Sequence, residues 1–120
     1  MRSAWAPQLR LLAHSALSIN HGGGNTIHEC IHFRVPMLIY SGGQHDQHGC
    51  SARMAYHGLA LLGDREHDGP DQIEARIERV LAEPSYREAV DAAHRRYRAY
   101  ADDGVLARAV RDAIAAAART

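Results

Sequence analysis

Apolar residues follow two regimes along the chain. Before Pro70 they come in short runs broken by glycine, and after it they recur every three or four positions. Leu9, Leu11 and Leu12 make a short apolar turn behind Pro7. Leu17 to Asn20 is an apolar run stopped by His21 and three glycines, which predicts a buried strand ending in a tight turn. Asn25 or Thr26 is a candidate cap for a helix running to about Phe33, because Pro36 forbids its continuation. Met37 to Tyr40 reads as a second buried strand, closed by Ser41, Gly42 and Gly43. Asp46 opens a helix through Met54 and Tyr56 that stops at Gly58. Leu59 to Leu62 supplies a third strand. Strands alternating with helices of about ten residues predict parallel β-α-β units with right-handed crossovers. The expected class is therefore α/β, a Rossmann-like parallel βαβαβ core.

About three helices are expected to follow. Ile73, Ile77, Val80 and Leu81 mark one apolar stripe between Pro70 and Pro84. Tyr86, Ala89, Val90, Ala93, Tyr97 and Tyr100 mark a second, and Leu106, Val110 and Ile114 a third behind Asp103 and Gly104. These stripes read as core packing, with the Arg and acidic residues as a solvated face.

Composition narrows the picture. The 120 residues suffice for one domain with a modest core. Fourteen arginines balance fourteen acids, and there is no lysine. A net charge of zero gives no bulk attraction to nucleic acid or to an anionic membrane surface. No apolar run is long enough to span a membrane, and the first residues lack the apolar centre of a signal peptide. Two cysteines make no disulfide framework and fit a reducing, cytoplasmic compartment. Seven of nine histidines lie between His14 and His57, so candidate chemistry concentrates in the front half.

Three groups there could carry it. In the run from Ser18 to Thr26, glycines let the backbone approach a ligand, and the following helix offers free N–H groups that favour phosphate. His21 and the Thr26 hydroxyl could donate to the same oxygens; a purely structural turn is the alternative. His28, Glu29, Cys30, Ile31 and His32 spell H-E-x-x-H, the spacing of a helical zinc site with Glu29 as base. The extended form of that motif needs Gly at Val35 and His at Leu38, and has neither. Gln44, His45, Asp46, Gln47 and His48 form a polar cluster after the second strand, where open parallel sheets bind ligands. Asp46 and Gln47 could face the same ligand as His21 and Thr26.

Together these residues resemble the donor-binding signature of nucleotide-sugar glycosyltransferases of the GT-B fold, the UDP-glycosyltransferase family. The matching pieces run in order: Trp5, Ala6, Pro7 and Gln8; His21 to Thr26; Glu29; Val35, Pro36 and Met37; Asp46 and Gln47; and His57, Gly58 and Leu59. The sequence departs from the pattern at Gly24, where plant members carry Trp, at Ser41 for Pro, and at Cys50 for Asn. It also carries one extra residue between Pro36 and Asp46.

The resemblance implies a role for each position. Trp5 would stack on the nucleobase, and Gln8 would help to fix base or ribose. His21 would contact the diphosphate, with Gly23, Asn25, Thr26 and nearby backbone N–H groups on the α-phosphate side. Glu29 would accept from the ribose hydroxyls, and Asp46 and Gln47 would bind the sugar. The ligand would be a UDP- or dTDP-sugar and the partner substrate a small hydroxylated acceptor, with no metal or other cofactor required. The chain is expected to be one partial domain, a donor signature over 1–69 and a helical region over 70–120. An acceptor domain, with its general base, would be missing and could come from a partner chain. A binding module without turnover, or a zinc hydrolase using His28, Glu29 and His32, are the alternatives.

Overall fold

The computed structural model describes residues 7–102 and 104–118. Nine elements follow in order: α1 (Gln8–Leu12), β1 (Ser18–Asn20), α2 (Gly24–His32), β2 (Met37–Ile39), α3 (Gln47–Tyr56), β3 (Ala60–Leu62), α4 (Pro70–Ala82), α5 (Pro84–Asp102) and α6 (Val105–Ala118). The three strands are parallel and adjacent in the order β1-β2-β3. Ser18 stands opposite Met37, and Met37 opposite Ala60. The expected α/β class and parallel βαβαβ core are therefore present, and the three C-terminal helices follow.

The core forms where apolar residues are covered on both faces of the sheet. Met37, Leu38 and Ile39 are fully buried in the central strand, and Val35, Cys30, Leu59 and Val90 join them. Each such large side chain contributes roughly 1.5–3 kcal/mol through its removal from water. The central strand thus behaves as its continuous apolar run implies, whereas β3, at the other edge of the sheet, buries Ala60 but leaves Leu62 38% exposed.

Two expectations are corrected. The first strand is not buried: it forms an edge of the sheet, and Ile19 is 52% exposed. A short apolar run cannot tell a central strand from an edge, because only neighbouring strands decide its cover. The stripe of α6 is not core either, with Leu106, Val110 and Ile114 each at least half exposed. Helical periodicity makes an amphipathic face without supplying anything to pack on it.

Helix ends explain the boundaries. Helix α3 ends as expected at Gly58, which takes φ 79°. The N–H groups of Gly58 and Leu59 bond back to Ala55 and Met54, closing a Schellman motif. Helix α2 ends in the same bond pattern, with Val35 to Cys30 and Arg34 to Ile31, yet Arg34 holds the left-handed position at φ 58°. At the start of α2 the cap is Gly23 rather than Asn25 or Thr26, and no side chain bonds the first-turn N–H groups.

Candidate functional site

The ends of β1 and β2 and the start of α2 surround an open cleft of about 620 Å³. Its polar wall includes Gln8, His21, Gly23, Thr26 and Gln47, with Asn20 and Tyr40 between them. Leu11, Leu17 and Ile19 give it an apolar side along β1, an edge strand among the described residues. Ligands of open parallel sheets bind beyond the carboxyl ends of the strands, where this cleft lies.

Local chemistry sets its shape. The Asn20 side chain accepts from the Gly22 N–H at 2.9 Å and donates to Ser18 at 3.1 Å, forming an Asx turn that carries the chain off the strand. Gly22 takes φ 85° and packs so tightly on α3 that a β-carbon would fall 2.1 Å from Ser51 Oγ. The turn therefore aims α2 away from β1 and leaves its first-turn N–H groups without side-chain caps. Uncapped N–H groups and the positive end of the helix dipole give this part of the cleft a local field that favours anions.

On the α1 side, Gln8 Nε2 donates to Glu29 Oε2 at 2.5 Å and lies 3.5 Å from Thr26 Oγ1. This bond links two positions far apart in sequence and holds the Glu29 carboxylate at the cleft's margin. On the α3 side, Gln47 Oε1 accepts from the Gly42 N–H at 3.0 Å, so one end of its amide braces the loop.

The structure thus brings Gln8, His21, Gly23, Thr26 and Gln47 to one cleft, with Glu29 attached through Gln8. Asn25 and Asp46 do not line it. Asn25 is exposed, and Asp46 accepts from the Cys50 thiol at 3.5 Å. Trp5 lies outside the described residues. The polar cluster of the second loop splits, because Gln44 and His48 line another cleft, of about 760 Å³, between the β2–α3 and β3–α4 loops. Successive residues at a helix start point in different directions, which a linear reading of that cluster misses.

The H-E-x-x-H histidines face a different part of the fold. His28 and His32 pack edge-on against Tyr97 of α5, with ring centroids 5.1 and 5.7 Å away, while Glu29 is bonded to Gln8. Among the described residues, no group of three or more His, Cys, Asp or Glu is placed to hold a metal ion. Both thiols are pushed above their ordinary range, foremost by desolvation, so neither is an activated nucleophile.

Sequence reasoning missed Tyr40, and it placed Asn20 in the candidate run without giving it a role. The Asn20-x-Gly22 spacing was the available signal for the turn. For Tyr40 there was none, since it was simply the end of an apolar run.

Comparison with known proteins agrees with this architecture. Residues 2–97 match the sequence model of the UDP-glucuronosyl and UDP-glucosyl transferases. Human UDP-glucuronosyltransferase 2B7 is 33% identical over 91 residues, covering 72% of this chain and 16% of the relative. Zeaxanthin glucosyltransferase of Pantoea ananas is 36% identical over 61 residues, covering 51% of this chain and 14% of the relative. Among solved structures, glycosyltransferase VinC in complex with dTDP superposes with a TM-score of 0.77 at 30% identity, covering 88% of this chain and 28% of VinC. The glycosyltransferase of kitacinnamycin gives a TM-score of 0.75 at 27% identity, covering 80% of this chain and 25% of its own. The chain thus spans only about a sixth of the curated relatives' length. With a family match over most of its length and a fold shared with GT-B glycosyltransferases, the chain belongs to the UDP-glucuronosyl and UDP-glucosyl transferase family.

Proposed function

We propose that this chain binds the nucleotide-sugar donor, a UDP- or dTDP-sugar, for glycosyl transfer to a hydroxyl-bearing small-molecule acceptor. The observation that carries this reading is the single cleft in which Gln8, His21, Gly23, Thr26 and Gln47 converge beside the free N-terminus of α2. The diphosphate lies over that N-terminus, with His21 and the Thr26 hydroxyl as donors. Ribose hydroxyls donate to Glu29, which Gln8 holds in place, and Trp5 stacks on the base. Gln47 keeps its amide N–H groups for sugar hydroxyls, and Asp46 reaches the same sugar only by turning away from Cys50. Asn25 lies on the α-phosphate side.

As the glycosidic bond breaks, negative charge grows on the departing nucleoside diphosphate. A helix N-terminus and His21 stabilise that charge as it develops, so the chemistry asks for no metal or further cofactor. Acceptor binding and deprotonation of its hydroxyl belong to polypeptide beyond this sequence, in the same protein or in a partner chain. The two free thiols fit a reducing cytoplasm.

Calorimetric titration of the folded chain with UDP and dTDP, with and without EDTA, tests the proposal. Saturable binding is expected, unchanged by EDTA and weakened about tenfold or more by His21→Ala or Glu29→Ala, the scale of one charged hydrogen bond. Absence of binding to either nucleotide in a folded chain would refute it. A metal requirement abolished by His28→Ala would favour the zinc reading instead.

A further inference from the structure

Tyr40 belongs to no role assigned above, yet it lines the donor cleft. It is held at three points. Its backbone N–H donates to Asn20 O at 2.9 Å. Its hydroxyl donates to Asp68 Oδ2 at 2.8 Å, and that carboxylate is itself gripped by Arg76 Nε at 2.6 Å. Its ring lies over Gly63, in space that a β-carbon would fill at 2.1–2.6 Å from the ring atoms. The Asp68 side chain is only 5% exposed, so the carboxylate at the centre of this half-buried anchor is shielded from solvent.

With the hydroxyl donating to Asp68 and the backbone N–H to Asn20, the ring carbons are what remain of Tyr40 to meet a ligand in the cleft that this residue lines. Asn20, His21 and Gln47 around it are polar. A ligand suited to this surroundings carries hydroxyls on its rim and C–H bonds on a face. A pyranose ring has both, and its polarised C–H bonds are attracted to the electron-rich face of an aromatic ring. A phosphate gains nothing from an uncharged ring. On the donor-site reading the nucleoside meets Gln8 and Glu29 on the α1 side, where the two bond to each other.

Resting on the donor-site reading, we propose that Tyr40 is a specificity-determining residue of that site, a fixed aromatic wall against which the apolar face of the donor's sugar ring packs. The anchor matters because a ring already held loses little freedom when the ligand arrives. Tyr40 thereby rewards the glycosylated nucleotide over the free nucleoside diphosphate.

The test compares UDP with UDP-glucose, and dTDP with dTDP-glucose, by calorimetry on the purified chain. UDP-glucose is expected to bind more tightly than UDP, and Tyr40→Leu to remove about threefold to tenfold of that advantage while leaving UDP itself within twofold. Tyr40→Phe and Asp68→Asn keep the ring and are expected to keep most of the advantage. Circular dichroism and the urea midpoint establish that each variant is folded. An unchanged preference in Tyr40→Leu overturns the proposal, as does an equal loss for UDP and UDP-glucose, which would put the ring under the base. If the unmodified chain binds UDP without any gain from glucose, this inference alone fails. If it binds no nucleotide, the donor-site reading falls and takes this one with it.

Discussion

Replacing Gly22 by alanine probes the joint on which the donor cleft is built. Gly22 holds φ 85°, a left-handed conformation that costs a residue with a β-carbon about 1–2 kcal/mol. The new β-carbon would also stand 2.1 Å from Ser51 Oγ, 3.1 Å from Ile39 Cγ2 and 3.2 Å from the Gln47 carbonyl oxygen. Ser51 is 2% exposed and donates to that carbonyl at 2.5 Å, so its hydroxyl has no free direction in which to retreat. Overpacking of this kind adds about 1–3 kcal/mol. Gly22→Ala should therefore lose about 3 kcal/mol, a large part of the 5–15 kcal/mol typical of a domain. Urea unfolding followed by circular dichroism at constant m-value measures it. Ser51→Ala alone should cost about 1 kcal/mol for its hydrogen bond. In the double variant the hydroxyl clash is gone, while backbone strain and the milder crowding against Ile39 and the Gln47 carbonyl remain, so the two losses should fall short of additivity by about 1–2 kcal/mol. A Gly22→Ala variant within 0.5 kcal/mol of the parent, the range of an unremarkable surface change, would refute the packing argument. Strict additivity would refute the assignment of the clash to Ser51.

Three further outcomes follow from the fold. Arg34→Gly relieves the left-handed position at the end of α2 and should raise stability by about 0.5–1 kcal/mol, since glycine's freedom in the unfolded chain offsets part of the gain; a loss would mean that the Arg34 side chain is needed there. The hydrogen bond from Arg76, assisted by that from the Tyr40 hydroxyl, holds Asp68 below the ordinary carboxylate range. Its stabilisation is complete above about pH 4 and is lost as pH falls through the lowered folded value. The gap in melting temperature between parent and Asp68→Asn should therefore be widest near neutrality and close on acidification, and a gap constant down to pH 2 would contradict this. Finally, Leu106→Gln should change urea stability by less than about 0.5 kcal/mol, whereas Met37→Ala should cost about 2–5 kcal/mol. Equal losses would return the α6 stripe to the core.

Much was legible in the sequence because it depends on neighbours in the chain. Glycines and prolines punctuate the elements, and Gly58 stops α3 through its own backbone. Apolar runs over Met37–Ile39 and Ala60–Leu62 and the period of α4 and α5 specify local shape, and with them the α/β class. The ordered motifs from Gln8 to Gln47 named a family that the matched residues bear out.

Tertiary structure decided what depends on distant residues. Whether β1 is covered depends on which strands lie beside it, and whether the stripe on α6 is core depends on what is packed there. The convergence of Gln8 on Glu29, across 21 positions of sequence, is a contact that no local pattern encodes. The parting of Gln47 from Gln44 and His48, which line different clefts, shows only once the loops and strands around them are in place. Tyr40 reads as the end of an apolar run until Gly63 and Asp68, more than 20 positions away, fix the place of its ring and hydroxyl. A linear pattern reports the few residues on either side of a position; a site is made by those that folding brings beside it.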